Sequence, residues 1–170
     1  MSFAEYWPAW LVSNLVALLL LLAAIKRPRT GRILFALLFI GAGIVNNITI
    51  HTHPSLYQLY ADTALIPFYT DFINGYFATH SILLVSFIAI CQLVIGFSLL
   101  NSGWFCRTGC AGGIFFLLSI APLGVGAAFP STIIMAIGLY LLCIRTAGIS
   151  PLAGKWPGSA RSLINQSSTP

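Results

Sequence analysis

Ala23-Ala24-Ile25-Lys26-Arg27-Pro28-Arg29-Thr30-Gly31-Arg32 joins two long apolar runs and carries four of the chain's eight basic residues. Clustered positive charge in a short connection stays on the cytoplasmic side of a membrane. Outward from this link, the apolar stretches are residues 9–25, 33–50, 81–100, 112–129 and 131–144, against a requirement of roughly 20 residues per spanning helix. A chain of 170 residues with 58% hydrophobic and 6% charged residues cannot clothe a soluble globule in polar surface. These features predict an all-α integral membrane protein, multi-pass in the cell inner (plasma) membrane.

Charge also sets the number of crossings. Pro122, Gly124, Gly126 and Pro130 interrupt the last apolar region, which reads either as one broken segment or as a hairpin. A single crossing would put Arg145, Lys155 and Arg161 outside, whereas a hairpin keeps them on one face with Arg107 and the first basic link. The expectation is five transmembrane helices, a four-helix core plus an N-terminal helix, with the N-terminus outside and the C-terminus cytoplasmic. Residues 131–144 reach only ~21 Å at 1.5 Å per residue, so a full crossing needs local thinning or burial against neighbours. Residues 1–145 read as one transmembrane domain, and residues 146–170, rich in Ser, Gly and Pro, as a disordered cytoplasmic tail. With no basic region ahead of it, the first apolar run reads as a retained anchor.

Acids and aromatics follow the same division. Glu5, Asp62 and Asp71 fall outside; Trp7, Trp10, Tyr57, Tyr60, Tyr69 and Tyr76 mark the outer interface, and Trp104 and Trp156 the inner one. The net charge of +5 is then a product of topology. It points to the lipid bilayer as partner, with anionic lipid ahead of nucleic acid.

The outer interfacial segment, residues 51–79, holds most of the varied chemistry. Beyond Pro67, Phe68, Tyr69, Phe72, Ile73, Tyr76 and Phe77 recur in pairs four apart, the stripe of a helix lying along the interface or folded over the bundle as a lid. Leu56, Leu59, Tyr60 and Thr63 form a weaker stripe before it. His51, His53 and His80, near Asp62 and Asp71, have the chemistry of a nitrogen-and-oxygen metal site. A two-apart pair without a third ligand at fixed spacing is more simply read as interfacial polar residues at helix ends.

Polar groups inside a membrane must find partners, so Asn14, Asn46, Asn47 and Gln92 carry more information than surface charges. Gln92, beside Cys91 near the middle of its helix, serves either as packing glue between helices or as the lining of a site for a small polar or quinone-like molecule. The candidate ligand-binding residues are Gln92, Asn46, Asn47, Tyr76 and Asp71, with Asn46 and Asn47 near His51 and His80. Gly41, Gly43, Gly96, Gly109, Gly113 and Gly138 suit close helix contact. Cys91, Cys106, Cys110 and Cys143 read as free thiols in a reducing compartment. No paired carboxylates, phosphate-binding loop, nucleophile elbow or helical metalloprotease motif is present, so no catalytic residue is named.

Gln92-Leu93-Val94-Ile95-Gly96-Phe97-Ser98-Leu99-Leu100-Asn101-Ser102-Gly103, followed by Arg107, resembles the segment that DoxX-like membrane proteins carry in the second helix of their core. Arg32 with Gly41 and Gly43 resembles the start of that core, and the likeness covers residues 32–144. It implies a four-helix membrane core and, from similar proteins, quinone-linked sulfur oxidation or association with redox and maturation systems. Gln92 stands where relatives often carry an acid, a departure that speaks against a proton-linked role. The expectation is an accessory or quinone/redox-associated membrane subunit rather than a self-sufficient enzyme, with a quinone or another apolar molecule bound near Gln92 and the aromatic outer lid, the cofactor itself left open, and a membrane protein or a second copy as partner. Two other classes stand beside it: a small-solute or metal-cation transporter using the outer His/Asp cluster, and a structural membrane assembly partner. Transport requires the outer polar residues to converge on one cavity.

Overall fold

A computed structural model describes residues 3–152, with side chains from Trp7 onward. Helix α1 (Phe3–Lys26) turns through the single residue Arg27 into α2 (Pro28–Thr52), with Pro28 supplying the fixed φ of a helix start. At this turn a Cβ on Gly31 would lie 2.8 Å from the backbone nitrogen of Ala24, so only glycine lets the two helices meet there. A 3₁₀ segment (Pro54–Thr63) leads to the short α3 (Pro67–Phe72), one π turn (Ile73–Phe77) and α4 (Ala78–Leu99). Then come α5 (Trp104–Ile120), a second 3₁₀ segment (Ala121–Ala127) and α6 (Ser131–Thr146). The described residues contain helices and no strand.

Four helical segments are long and apolar enough to cross a bilayer: Trp7–Lys26, Pro28–Thr52, Pro67–Leu99 and Trp104–Ala127. By length and composition the chain is a multi-pass membrane protein. α6, at 16 residues, is shorter than these. It nonetheless runs antiparallel to α5 between the two ends of the bundle. At one end the indole nitrogen of Trp10 donates to Phe129 (2.6 Å) and Asn14 to Ala128 (3.4 Å), just ahead of α6. At the other, Arg145 donates to Ile25 (3.1 Å) and the Gly103 amide to Ala147 (2.6 Å).

Lys26, Arg27, Arg29, Arg32, Arg107 and Arg145 therefore gather at one end, while Asp62 and Asp71 lie at the other. Lys155 and Arg161 lie outside the described residues, as does most of the expected tail. Where that tail begins, the chain packs back on the bundle: Arg29 donates to Pro151 (2.7 Å) and the Ser150 hydroxyl to Leu100 (3.0 Å).

Two expectations need correction. Arg32 is not a solvated loop cation but is fully buried. Its Nε donates to Leu99 (2.7 Å), its Nη1 to Thr146 (2.6 Å) and Ile149 (2.5 Å), and its Nη2 to Asn101. The C-terminal carbonyls of a helix lack intrahelical donors and carry partial negative charge, and here they take the place of a counter-ion. The second correction concerns α5, which starts at Trp104 rather than residue 112. Gly103, at φ +65°, makes the turn in a conformation other residues resist, so Arg107 sits on the helix.

Glycine contacts set the spacing of the bundle. A Cβ on Gly96 would lie 2.6 Å from Ile40 Cγ1 and 2.9 Å from the Ala36 carbonyl, and one on Gly43 would lie 2.8 Å from that of Ala89. α2 and α4 thus pack backbone to backbone, the most extensive helix pairing in the bundle. The apolar interior has two parts. A larger cluster at the basic end includes Phe35, Phe39, Leu99, Leu117 and Leu139, and a smaller one at the other end includes Ile50, Ile73, Phe77 and Val85.

Candidate functional site

Where the two clusters meet, the packing leaves a cavity of about 410 Å³. Its walls come from α2 (Leu38, Phe39, Asn46), α4 (Leu84, Ile88, Gln92) and α5 (Phe116, Leu117, Ile120). Its cover comes from the outer segment, through Tyr57, Tyr60, Tyr69, Phe72, Ile73 and Phe77. The volume lies within the roughly 300–1,000 Å³ of small-molecule sites, and the lining is mainly apolar and aromatic.

A single polar chain runs from cover to wall. The Tyr57 hydroxyl donates to the Asn46 side-chain oxygen (2.9 Å) and approaches its backbone oxygen (3.2 Å), and the Asn46 amide nitrogen donates to Gln92 Oε1 (2.8 Å). The amide nitrogen of Gln92 has no hydrogen-bond partner among the described residues, although the side chain is only 3% exposed and borders the cavity. An unpaired amide donor in an apolar enclosure seeks an acceptor, and the cavity is where one can enter. The lining contains no acidic or basic side chain, so the site is shaped for a neutral molecule.

The cover is built from helical turns of different pitch. In a 3₁₀ segment residues three apart share a face, which brings Tyr57, Tyr60 and Thr63 to the bundle side while Leu56 stays exposed. Thr63 donates to Leu123 (2.9 Å), and the Leu65 amide donates to Pro122 (2.8 Å). Gly124, at φ +72°, lies where a Cβ would collide with the Thr63 carbonyl oxygen. The Pro- and Gly-rich interruption of the last apolar region is therefore the seat against which the cover closes.

The aromatic stripe after Pro67 divides into two. Tyr69, Ile73 and Phe77 face inward, and Tyr69 donates to the Ser119 carbonyl (2.7 Å). Phe68, Phe72, Tyr76 and His80 form a ladder on the outward side, with ring centroids 6.4, 6.2 and 4.2 Å apart in succession. Only Phe72 of that ladder also borders the cavity.

Of the ligand candidates, Gln92 and Asn46 come together at the cavity. Asn47 is exposed and offers its backbone oxygen to the His51 ring (2.8 Å). Tyr76 is exposed and stacks on His80, and Asp71 is exposed. His51, His53 and His80 are likewise exposed, and none borders the cavity. Among the described residues no three His, Cys, Asp or Glu side chains gather in a metal-binding arrangement. Tyr57 was the site residue that the sequence stripe missed. Its signal was the three-residue period with Tyr60 and Thr63, masked by reading the segment at helical pitch.

Burial raises the Tyr57 phenol above its ordinary value, and the neighbouring Tyr60 adds to this. The hydroxyl is therefore held as a donor. At the far end of the bundle the Cys106 and Cys110 thiols lie 3.9 Å apart, both fully buried and away from the cavity.

Comparison with family models, curated proteins and solved structures gives no match to this chain.

Proposed function

We propose that the protein is an accessory membrane subunit that holds a neutral, apolar molecule bearing a hydrogen-bond acceptor, of the quinone class, beneath its outer cover. The observation that carries this reading is the unpaired amide donor of Gln92 at the edge of an otherwise apolar cavity. A quinone offers flat apolar rings to Phe116, Ile88 and Phe77 and a carbonyl to Gln92, while Asn46 and Tyr57 hold that amide in register. The resemblance of residues 92–107 to DoxX-like proteins supports the redox side of the proposal. In this reading the molecule crosses the plasma membrane five times, with the basic end cytoplasmic and the N-terminus outside. The shared placement of six basic residues supports that orientation.

The test is purification in mild detergent followed by extraction and mass spectrometry of apolar small molecules. Wild type is expected to retain a quinone-class molecule, and a folded Gln92→Leu protein to lose it. Recovery of no such molecule, together with unchanged respiratory electron flow in a deletion strain, refutes the proposal. Orientation is read separately, from the side on which a C-terminal tag is accessible.

A further inference from the structure

Arg107 and Arg145 line one pocket of about 420 Å³ at the basic end of the bundle, together with Cys143, Ile144, Ala147 and Gly148. Two guanidinium groups on one pocket repel each other unless an anion lies between them. The described acids, Asp62 and Asp71, belong to the opposite end. Arg145 is partly engaged, because its Nη1 donates to Ala24 (3.4 Å) and Ile25 (3.1 Å) at the last turn of α1. Its remaining donors are uncommitted. Arg107 makes no side-chain hydrogen bond to any described residue, and it stands in the first turn of α5, where the helix dipole disfavours a cation. Both guanidinium groups favour an anion placed between them.

We infer that this pocket is a site for the phosphodiester headgroup of an anionic phospholipid. Guanidinium forks match phosphate oxygens in pairs, and a phosphodiester keeps its negative charge at all physiological pH values. The pocket lies where α5 begins and α6 ends. Exposed Ile144 continues from it along α6 as a path for an acyl chain, and exposed Trp104 and Phe105 open α5 at the same level. The site is separate from the central cavity and shares no lining residue with it.

The test uses the full-length protein in detergent, titrated with phosphatidylglycerol or phosphatidylcholine and followed by native mass spectrometry of retained lipid. Wild type is expected to retain phosphatidylglycerol in preference to phosphatidylcholine. Arg107→Gln, which breaks no internal hydrogen bond, is expected to weaken that retention about fivefold, because it removes the guanidinium fork that pairs with the phosphate oxygens. Lys26→Gln removes a charge at the same end but outside the pocket, and is expected to stay within about twofold of wild type. Arg107→Lys keeps the charge, loses the fork, and falls between them. Equal weakening by Arg107→Gln and Lys26→Gln would show a diffuse basic surface and overturn the site. So would a lack of lipid preference, or displacement of the lipid by inorganic phosphate, which would assign the pocket to a free anion.

Discussion

The Nε of Arg32 donates to the carbonyl oxygen of Leu99 over 2.7 Å, and its Nη1 reaches Thr146 and Ile149. One side chain at the start of α2 therefore supplies donors that the ends of α4 and α6 lack. Arg32→Leu leaves those carbonyls unpaired, at roughly 1–3 kcal/mol for each that stays dry. The expected loss is about 3 kcal/mol or more, measured by unfolding in detergent. Arg32→Lys should recover only part of it, because an ammonium cannot fork between two helix ends.

Gly96 and Gly41 lie on the same bundle in opposite situations. A methyl at Gly96 meets Ile40 Cγ1 at 2.6 Å and the Ala36 carbonyl at 2.9 Å, whereas at Gly41 nothing lies within 4 Å. Gly96→Ala is expected to destabilise by about 1–3 kcal/mol through overpacking between α2 and α4. Gly41→Ala should be neutral or stabilising by up to ~1 kcal/mol, the helix propensity difference. Thermal unfolding of the pair checks both signs in one experiment.

Ligand retention in the central cavity should depend on pH through Tyr57. Its phenol is raised above the ordinary 10.0 by burial first and by Tyr60 second. A raised value keeps the donor form through neutral pH, so its contribution is fully present below the unfolded value and is lost as pH rises through the folded one. Retention should be flat from about pH 6 to about pH 9 and fall only above about pH 10. Tyr57→Phe should weaken retention at every pH and flatten that alkaline fall.

The outer histidines give a contrasting expectation. His51 and His53 are exposed and bind no neighbouring side chain among the hydrogen bonds of the described residues. His51→Ala and His53→Ala should each change stability by less than about 0.5 kcal/mol. His80→Ala removes the ring stacked 4.2 Å from Tyr76 and should cost somewhat more, roughly 0.5–1.5 kcal/mol. Unfolding in detergent, with and without added zinc, measures all three.

Much of the architecture was legible in the sequence because membranes impose one strong rule. Apolar length pointed to the four long helices, although α5 begins at Trp104 and not at residue 112, and α6 brings Arg145 to the end that holds Lys26, Arg27 and Arg107. Gln92 and Asn46 stood out for a related reason, since an amide in lipid needs a partner and each became the other's. What stayed hidden depended on backbone pitch and long-range capping. Tyr57 joins the site only because its segment winds at three residues per turn, and Tyr76 leaves it because the stripe divides at a π turn. Arg32 looks like every other basic residue near a helix end until the carbonyls of Leu99 and Thr146 are placed around it.

During biosynthesis Arg32 emerges 67 residues ahead of Leu99 and 114 ahead of Thr146. Until those partners are made, its charge has only water and lipid headgroups to turn to, which holds the nascent α1–α2 hairpin at the membrane surface by its turn. α6, the last helix among the described residues, thus completes the burial of a residue made early. A chain stopped short of Thr146 would lack the Thr146 and Ile149 carbonyls that accept from Arg32 Nη1, and would leave that guanidinium half-partnered.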